Sequence, residues 1–261
     1  MYIKNWLEYQ HILDKIDLEN LKYKMKFQEL PEKDIEQSLD LLQLQTESVN
    51  QFSIELFSSF NPEHADIKKI KALWLQILDM QYQDHKGVLN LDYGDYEEMS
   101  ELLERIDDLN VTAEEATFSY FLEHSSSPYI LDWINYKNLK NHLDDQETRL
   151  AKQHIIQVGK ADESEQNQLA RKFIKDCALL KIDILNQLSA FTPELKDIIE
   201  RKKEYVKIGA MKNTHLISNP SLENEYTTYI TQADGQIKEM EISFERHALK
   251  LMYEYMHVKN A

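Results

Sequence analysis

Apolar side chains recur along most of this chain at intervals of three and four residues, the spacing that places them on one face of an α-helix. In residues 2–28 they fall on two arcs, one containing Leu7 and the other containing Trp6 and Tyr9. A narrow stripe of Lys and Glu residues separates the two arcs. A helix with two apolar arcs packs between neighbours, so we predict that the first helix is central.

The same period, combined with the positions of Pro and of capping residues, predicts nine helices. Pro follows Asn, Ser or Thr at residues 62, 128, 193 and 220, and Pro is favoured at the first helical position because no N–H is needed there. The predicted helices cover residues 2–28, 32–59, 62–90, 95–109, 113–124, 129–158, 163–191, 193–212 and 236–258. We therefore predict an all-α protein, either a multi-helix bundle or stacked helical hairpins of about nine helices, with little or no β-structure.

The pattern assigns no single element to residues 213–235. Within this segment, residues 227–231 read Thr-Thr-Tyr-Ile-Thr, a composition typical of a short strand. No second segment of the chain offers this strand an obvious partner. The segment is therefore the weakest point of the all-α prediction.

The chain has 261 residues, enough for one large domain or two small ones. We predict a single all-helical domain spanning residues 1–261, with a candidate boundary between two sub-bundles near residues 125–128, where Ser-Ser-Ser-Pro interrupts the pattern. Trp is followed by Leu or Ile at Trp6, Trp74 and Trp133, but the intervals and flanking residues differ. The sequence therefore predicts no internal repeat.

The composition of the chain excludes several classes of function. Five glycines form none of the Gly-rich motifs that bind nucleotides, and no apolar run approaches the roughly 18 residues of a membrane span. The first residues lack the long apolar stretch of a secretory signal, and a single Cys fits a reducing compartment. We expect a cytoplasmic protein with no cofactor, no metal and no membrane partner.

Negative charge is concentrated in one region. The formal net charge is −16, and residues 92–123 alone contribute −10, because eleven acids lie there with Arg105 as the only base. Several of these acids recur at helical spacing, and aromatic residues lie among them, a mixture typical of a protein contact surface. A solvated acidic face that keeps the protein soluble is the alternative interpretation. The predicted partner-binding residues are Asp92, Tyr93, Asp95, Tyr96, Glu97, Glu98, Glu101, Glu104, Asp107, Asp108, Glu114 and Glu115.

Two Glu-x-x-His pairs have the spacing found in helical carboxylate-bridged metal proteins. They are Glu8 with His11 and Glu254 with His257. Metal ligands of that type must project into the bundle. The predicted helix faces place Glu8 on the polar stripe of the first helix and Glu254 on the outer face of the last one, which disfavours a metal site.

A third candidate for catalysis is Arg149 with His154. This Arg-x4-His spacing resembles the motif of HEPN ribonucleases, which are helical and use the pair to contact the scissile phosphate. The resemblance covers six residues, and Leu150 stands where the family usually has a polar residue. It implies a ribonuclease, whereas the chain offers no basic groove for RNA. Cys177 lies on an apolar face and is expected to be an inert core thiol.

We predict a protein without catalytic activity that binds a basic protein partner. The most specific form of this prediction is a bacterial inhibitor or immunity protein that neutralises a basic toxin or nuclease through the acidic, aromatic region. Direct binding to nucleic acid is not expected, because phosphate contacts require a basic footprint. The alternatives are a helical enzyme, using either the Arg149 pair or a carboxylate-bridged metal, and a helical adaptor or chaperone.

Overall fold

The computed structural model describes residues 1–28, 35–85, 93–160, 163–218 and 223–258. Across these ranges the chain is all-α without any strand, which confirms the predicted fold class. None of the helices in these ranges combines the length and the apolar character needed to cross a membrane. The described ranges contain eight helices: α1 (Tyr2–Gln28), α2 (Ile35–Ser59), α3 (Ala65–His85), α4 (Tyr93–His124), α5 (Pro128–Val158), α6 (Glu163–Gln187), α7 (Pro193–Ser218) and α8 (Glu223–Val258).

The two helices predicted at 95–109 and 113–124 are one continuous helix, α4. A break was expected because Thr112 and Glu115 have the spacing of an N-terminal capping box. Instead, the Thr112 hydroxyl donates to the carbonyl oxygen of Asp108 one turn earlier, at 3.1 Å. Thr can satisfy its hydroxyl in this way inside a helix, so the capping signal does not end α4.

The uncertain segment 213–235 is also helical wherever the structure describes it. α7 continues to Ser218, and α8 begins at Glu223 and includes residues 227–231, so the short strand is wrong. A lone strand leaves its backbone groups unpaired, whereas a helix pairs them internally. Residues 219–222 lie outside the described ranges.

Contacts divide the chain into two compact units. Unit 1 consists of Met1–Glu123 with Met252–Ala261, and unit 2 consists of His124–Leu251. The single domain with a candidate boundary near residues 125–128 stays a prediction.

The first helices of the two units match in sequence, which corrects the expectation of no repeat. Residues 2–9 (YIKNWLEY) and 129–136 (YILDWINY) lie 127 positions apart and match at six of eight positions when Asn/Asp and Leu/Ile exchanges are counted. α2 and α6 are both 25 residues long and begin 128 positions apart, as do α3 and α7. The first three helices of each unit can therefore be compared position by position.

In unit 1, a residue of the first helix caps the third helix. Asn5 is buried in α1, and its Oδ1 accepts hydrogen bonds from the backbone N–H groups of Glu63 at 2.8 Å and His64 at 2.9 Å. The helix was predicted to begin at Pro62 with Asn61 as its cap, but α3 begins at Ala65. The unpaired donors at the start of α3 are thus satisfied from another helix rather than locally.

Unit 2 repeats this arrangement with a charged residue. Asp132 of α5 is only 1 % exposed and accepts from the backbone N–H groups of Phe191 at 3.0 Å and Thr192 at 2.7 Å, just before α7. The Thr192 hydroxyl donates to the same carboxylate at 2.6 Å. Thr192 was predicted to cap α7 with its own side chain, but Asp132 accepts the hydrogen bonds there.

α1 is buried on both predicted arcs only in its first half. Trp6, Leu7 and Tyr9 are almost fully enclosed, and α1 packs against α2 and α3. Leu18 and Leu21, in the second half, are each more than 40 % exposed. The central position that the two arcs indicate therefore applies to the start of the helix.

Candidate functional site

Because α4 is continuous, most of the predicted partner-binding acids lie on one helix. Five of them are exposed and fall within an arc of about 60° on a helical projection, over a length of about 27 Å. We call these five the acidic ridge: Glu97, Glu101, Glu104, Asp108 and Glu115. Like charges at this spacing repel one another, so the ridge costs free energy in the isolated protein.

Exposed apolar side chains run along one edge of the acidic ridge. Tyr96 is 57 % exposed, Leu103 is 40 % exposed and Val111 is 51 % exposed, and the three fall within about 80° on the helical projection. We call them the apolar border. Phe118 and Phe121, which belong to the aromatic residues of the 92–123 region, are buried in the core of unit 1. Among the described side chains of this surface, Tyr96 is therefore the exposed aromatic residue.

The other predicted partner-binding residues do not share one face of α4. Glu98 is exposed on another side of α4, where it accepts a hydrogen bond from Gln76 of α3 at 3.0 Å. Asp107 is exposed beside the apolar border, and Glu114 is half-buried. Asp92 lies outside the described residues, as do the side chains of Tyr93 and Asp95.

The histidines of the two Glu-x-x-His pairs lie near each other in unit 1, where both contact the ring of Tyr253. The rings of His11 and His257 lie 5.6 Å and 4.0 Å from the ring of Tyr253, and burial lowers the pKa of His11. Glu8 accepts a hydrogen bond from Asn5 at 3.2 Å. Among the described residues, no group of three or more His, Cys, Asp or Glu side chains is placed to hold a metal ion.

The Arg149 and His154 pair is also held in ordinary packing. The His154 ring stacks on Phe173 with 4.4 Å between ring centroids and 7° between planes, and Arg149 is exposed. The ribonuclease alternative stays a prediction. Cys177 is half-buried rather than enclosed, and burial raises the pKa of its thiol, which lowers its reactivity.

Sequence reasoning missed a cavity of about 250 Å³ in unit 2. It lies among α5, α6, α7 and α8 and combines apolar, tyrosine and charged side chains. The lining residues are Tyr136, Leu139, Lys140, Leu143, Asp144, Glu147, Lys181, Leu185, Lys202, Tyr205, Val206, Asp234, Ile237, Lys238 and Glu241. They come from four helices without any local motif, so no spacing rule could have collected them.

The most enclosed polar side chains of the cavity form a hydrogen-bond network around Glu241. One carboxylate oxygen, Oε1, accepts hydrogen bonds from both the Tyr136 hydroxyl and the Lys202 ammonium, the latter at 2.7 Å. Burial raises the pKa of Glu241, but hydrogen bonds from Lys202 and Tyr136 and the nearby charges of Lys202 and Lys140 outweigh it, so the pKa lies below its usual value. Burial, with the hydrogen bond to Glu241, raises the pKa of Tyr136 far above its usual value. Glu241 is therefore ionised at neutral pH.

The other charges of the cavity balance. Lys181 pairs with Glu147 at 2.7 Å, and Lys238 pairs with Asp234 at 2.6 Å. Lys140 and Asp144 have no ion-pair partner among the described residues. Four lysines and four acids line the cavity in total, so its formal charge is zero.

The repeat shows what unit 1 places at the same positions. The equivalent pairs are Tyr9 and Tyr136, Phe57 and Leu185, and Trp74 and Lys202. In unit 1 the Phe57 and Trp74 rings stack at 5.8 Å, and the Trp74 N–H donates to the Tyr9 hydroxyl at 3.0 Å. Where unit 1 packs two large rings, unit 2 has a smaller apolar side chain and a cation beside a cavity.

Comparison of the chain with protein-family models, with curated proteins and with solved structures finds no match. The function must therefore be argued from the surfaces and cavities of the molecule.

Proposed function

We propose that this protein binds a basic protein partner through the acidic ridge and the apolar border of α4, and that it acts as an inhibitor or immunity protein for a basic toxin or nuclease. The observation that supports this proposal is that one unbroken helix presents five exposed carboxylates beside three exposed apolar side chains.

The acidic ridge supplies attraction at a distance. Its aligned negative charges repel one another in the free protein, and a basic partner relieves that repulsion on binding. Complementary charge also raises the rate of encounter, by about 10- to 1,000-fold at low salt. A ridge of this kind favours a partner whose own surface is positive, as the substrate site of a nuclease is.

The apolar border supplies contact area that can be removed from water. Tyr is enriched among the residues that dominate binding energy, and such residues work best when surrounding side chains exclude water. Tyr96, Leu103 and Val111 therefore give a basic partner something to bury, which a purely solvated acidic face does not offer. A polar rim around an apolar strip is the usual arrangement of a protein interface.

The partner would be inhibited because the bound protein covers its substrate site. A toxin or nuclease that acts on a polyanion carries positive charge around its substrate site. Docking of the acidic ridge on that charge covers the site and excludes the substrate, without any chemistry by this protein.

The test begins with affinity capture from the native host at about 50 and 300 mM salt, because exposed charge interactions are screened at the higher value. The captured protein is then purified, its activity is assayed with and without this chain, and association kinetics are measured. Reversing four ridge charges to Lys should slow association by about two orders of magnitude at low salt. The four substitutions are Glu97→Lys, Glu101→Lys, Glu104→Lys and Asp108→Lys.

A matched control changes the net charge equally at exposed acids away from α4. The control substitutions are Asp40→Lys, Asp79→Lys, Asp145→Lys and Asp183→Lys. Helicity by circular dichroism should be the same in both variants. If the control slows association as much as the ridge variant does, only the net charge matters and the ridge is not the binding surface.

A further inference from the structure

The cavity of unit 2 contains a carboxylate oxygen that accepts no hydrogen bond from the residues that the structure describes. Both donors to Glu241 reach Oε1, and its second carboxylate oxygen, Oε2, accepts from none of the described residues. Oε2 is also not among the fully enclosed atoms that lack a partner. Glu241 lines the cavity and its side chain is only 14 % exposed, so Oε2 is the carboxylate oxygen left for a ligand in the cavity.

A second polar atom of the cavity is in the same state. The Tyr205 hydroxyl has no hydrogen-bond partner among the described residues and is likewise not fully enclosed. Together, Glu241 Oε2 and the Tyr205 hydroxyl offer two acceptors on one cavity, on both of which the charge of Lys238 also acts. This set suits a ligand that brings a cationic donor such as an ammonium group.

The other charged residues of the lining indicate which group the ligand carries at its second end. Lys140 is a cation without an ion-pair partner among the described residues, and its charge acts on Glu241. Since the lining is neutral in total, a ligand with net charge would face as many like charges as opposite ones. A ligand that carries both signs, with a carboxylate toward Lys140, avoids this conflict.

The volume and the apolar side chains set the size of the ligand. About 250 Å³ corresponds to roughly eight water molecules at about 30 Å³ each. Leu143, Leu185 and Ile237 contribute apolar surface to the lining. A compact apolar body, rather than a sugar or a nucleotide, matches this space.

We infer that the cavity of unit 2 binds a small zwitterion with an apolar body, of the class of apolar α-amino acids, with its ammonium group on Glu241 Oε2. The repeat shows in addition that the cavity is a feature of unit 2. Unit 1 fills the equivalent positions with Phe57 and Trp74, so the shared arrangement of helices does not require a cavity. The side chains that open and charge it, Leu185 and Lys202, are particular to unit 2.

The test is calorimetric titration of the full chain with leucine and phenylalanine as probes, accompanied by saturation-transfer NMR. One site per chain should be saturable by at least one of the two. Isopentylamine and 4-methylpentanoate, which each lack one charged group of leucine, should bind about tenfold or more weakly than leucine. Absence of saturable binding by both amino acids at millimolar concentration would overturn the assignment, as would equal binding of 4-methylpentanoate and leucine.

Substitution of Glu241 tests whether it binds the ammonium group of the amino acid. Glu241→Gln keeps the size of the side chain but removes its charge and one acceptor, so amino-acid binding should weaken about tenfold or more. Glu239→Gln is the matched control, because Glu239 is exposed on the same helix and does not line the cavity. Equal affinity in the two variants would rule out Glu241 as the ammonium site.

A second variant keeps the test decisive if Glu241→Gln does not fold. Leu185→Phe introduces the side chain that unit 1 has at this position and fills part of the cavity, so binding should be lost while helicity remains. The charge-reversal variant of the acidic ridge should bind the amino acid normally, because the ridge lies in unit 1. Failure of one proposal is thus distinguishable from failure of the other.

Discussion

Unit 1 and unit 2 place different side chains on the same order of helices. In unit 1, Tyr9, Phe57 and Trp74 form an aromatic cluster in which one N–H to hydroxyl hydrogen bond satisfies the polar atoms. In unit 2, Tyr136 instead donates to an ionised carboxylate, which Lys202 also contacts. One arrangement of helices thus accommodates both a filled apolar core and a polar cavity.

The comparison shows what a buried charge requires. A buried hydroxyl is satisfied by one partner, whereas a buried carboxylate needs several donors. These are backbone N–H groups and a hydroxyl at Asp132, and a cation with a hydroxyl at Glu241. Unit 2 meets that requirement for one oxygen of Glu241 and leaves the other without a donor among the described residues. The aromatic cluster of unit 1 leaves no such need, which makes it a reference for the following predictions.

The largest effect is expected where the two units cap their third helices. Asp132→Ala removes the acceptor of three hydrogen bonds at a buried position and should lower the free energy of unfolding by about 3 kcal/mol or more. Asn5→Ala, which removes the acceptor of two, should cost about 2 kcal/mol. Urea unfolding with hydrogen exchange resolved by unit measures both, and exposed Asn138→Ala is the control. Equal losses would show that the charge of Asp132 adds nothing.

The next largest effect on the free energy of unfolding is expected at the two equivalent tyrosines, Tyr136 and Tyr9. Tyr136→Phe removes a hydrogen bond to an ionised carboxylate and should cost about 2 kcal/mol, whereas Tyr9→Phe removes a neutral hydrogen bond and should cost about 1 kcal/mol. Hydrogen exchange in α5 and α1 measures each loss within its own unit. A larger loss for Tyr9→Phe would contradict the contrast between a polar and an apolar centre.

A reciprocal exchange then tests the filled and the open positions. Phe57→Leu gives unit 1 the residue of unit 2 and should destabilise unit 1 by about 1.5 kcal/mol, because it leaves a void in a packed cluster. Leu185→Phe makes the opposite change and should alter the stability of unit 2 by less than about 0.5 kcal/mol, because the cavity has room. Thermal and urea unfolding measure both. Strong destabilisation by Leu185→Phe would show that the cavity is closed in solution.

The smallest effect is a dependence on pH that belongs to unit 2. Because the pKa of Glu241 is lower in the folded protein than its usual value of 4.5, its contribution to stability is present above about pH 4.5 and is lost as the pH falls through the folded pKa. The stability difference between the unmodified chain and Glu241→Gln should therefore shrink as the pH falls below about 4.5. Urea unfolding at several pH values measures it, with Glu239→Gln as control, and a constant difference would contradict the depressed pKa.

Helix positions were largely predictable because they follow from local periodicity and from Pro. The predicted limits of the first helix, 2–28, agree with α1, and α7 begins at Pro193 as predicted. Two of the errors occurred where a local signal has two physical solutions. Thr112 can cap a helix or bond back within one, and residues 227–231 can form a strand or a helix, and periodicity does not decide between them.

The acidic ridge was predictable in composition but not in form. Its carboxylates are visible as a run of acids, yet their alignment on one side depends on α4 being unbroken. The aromatic residues near them divide between surface and core, with Tyr96 exposed and Phe121 buried. That division depends on which side of α4 faces the other helices of unit 1, which a single sequence does not state.

The order of amino acids was sufficient for the fold class, the main helix limits and the concentration of charge, because each depends on neighbours within a few turns of one helix. It also contained the repeat, in the matching residues 2–9 and 129–136. Tertiary structure alone decided the remote caps and the cavity. Asp132 meets Thr192 across 60 residues, and Tyr136 meets Glu241 across 105. Contacts at such separations depend on how whole helices pack, and no local pattern encodes them.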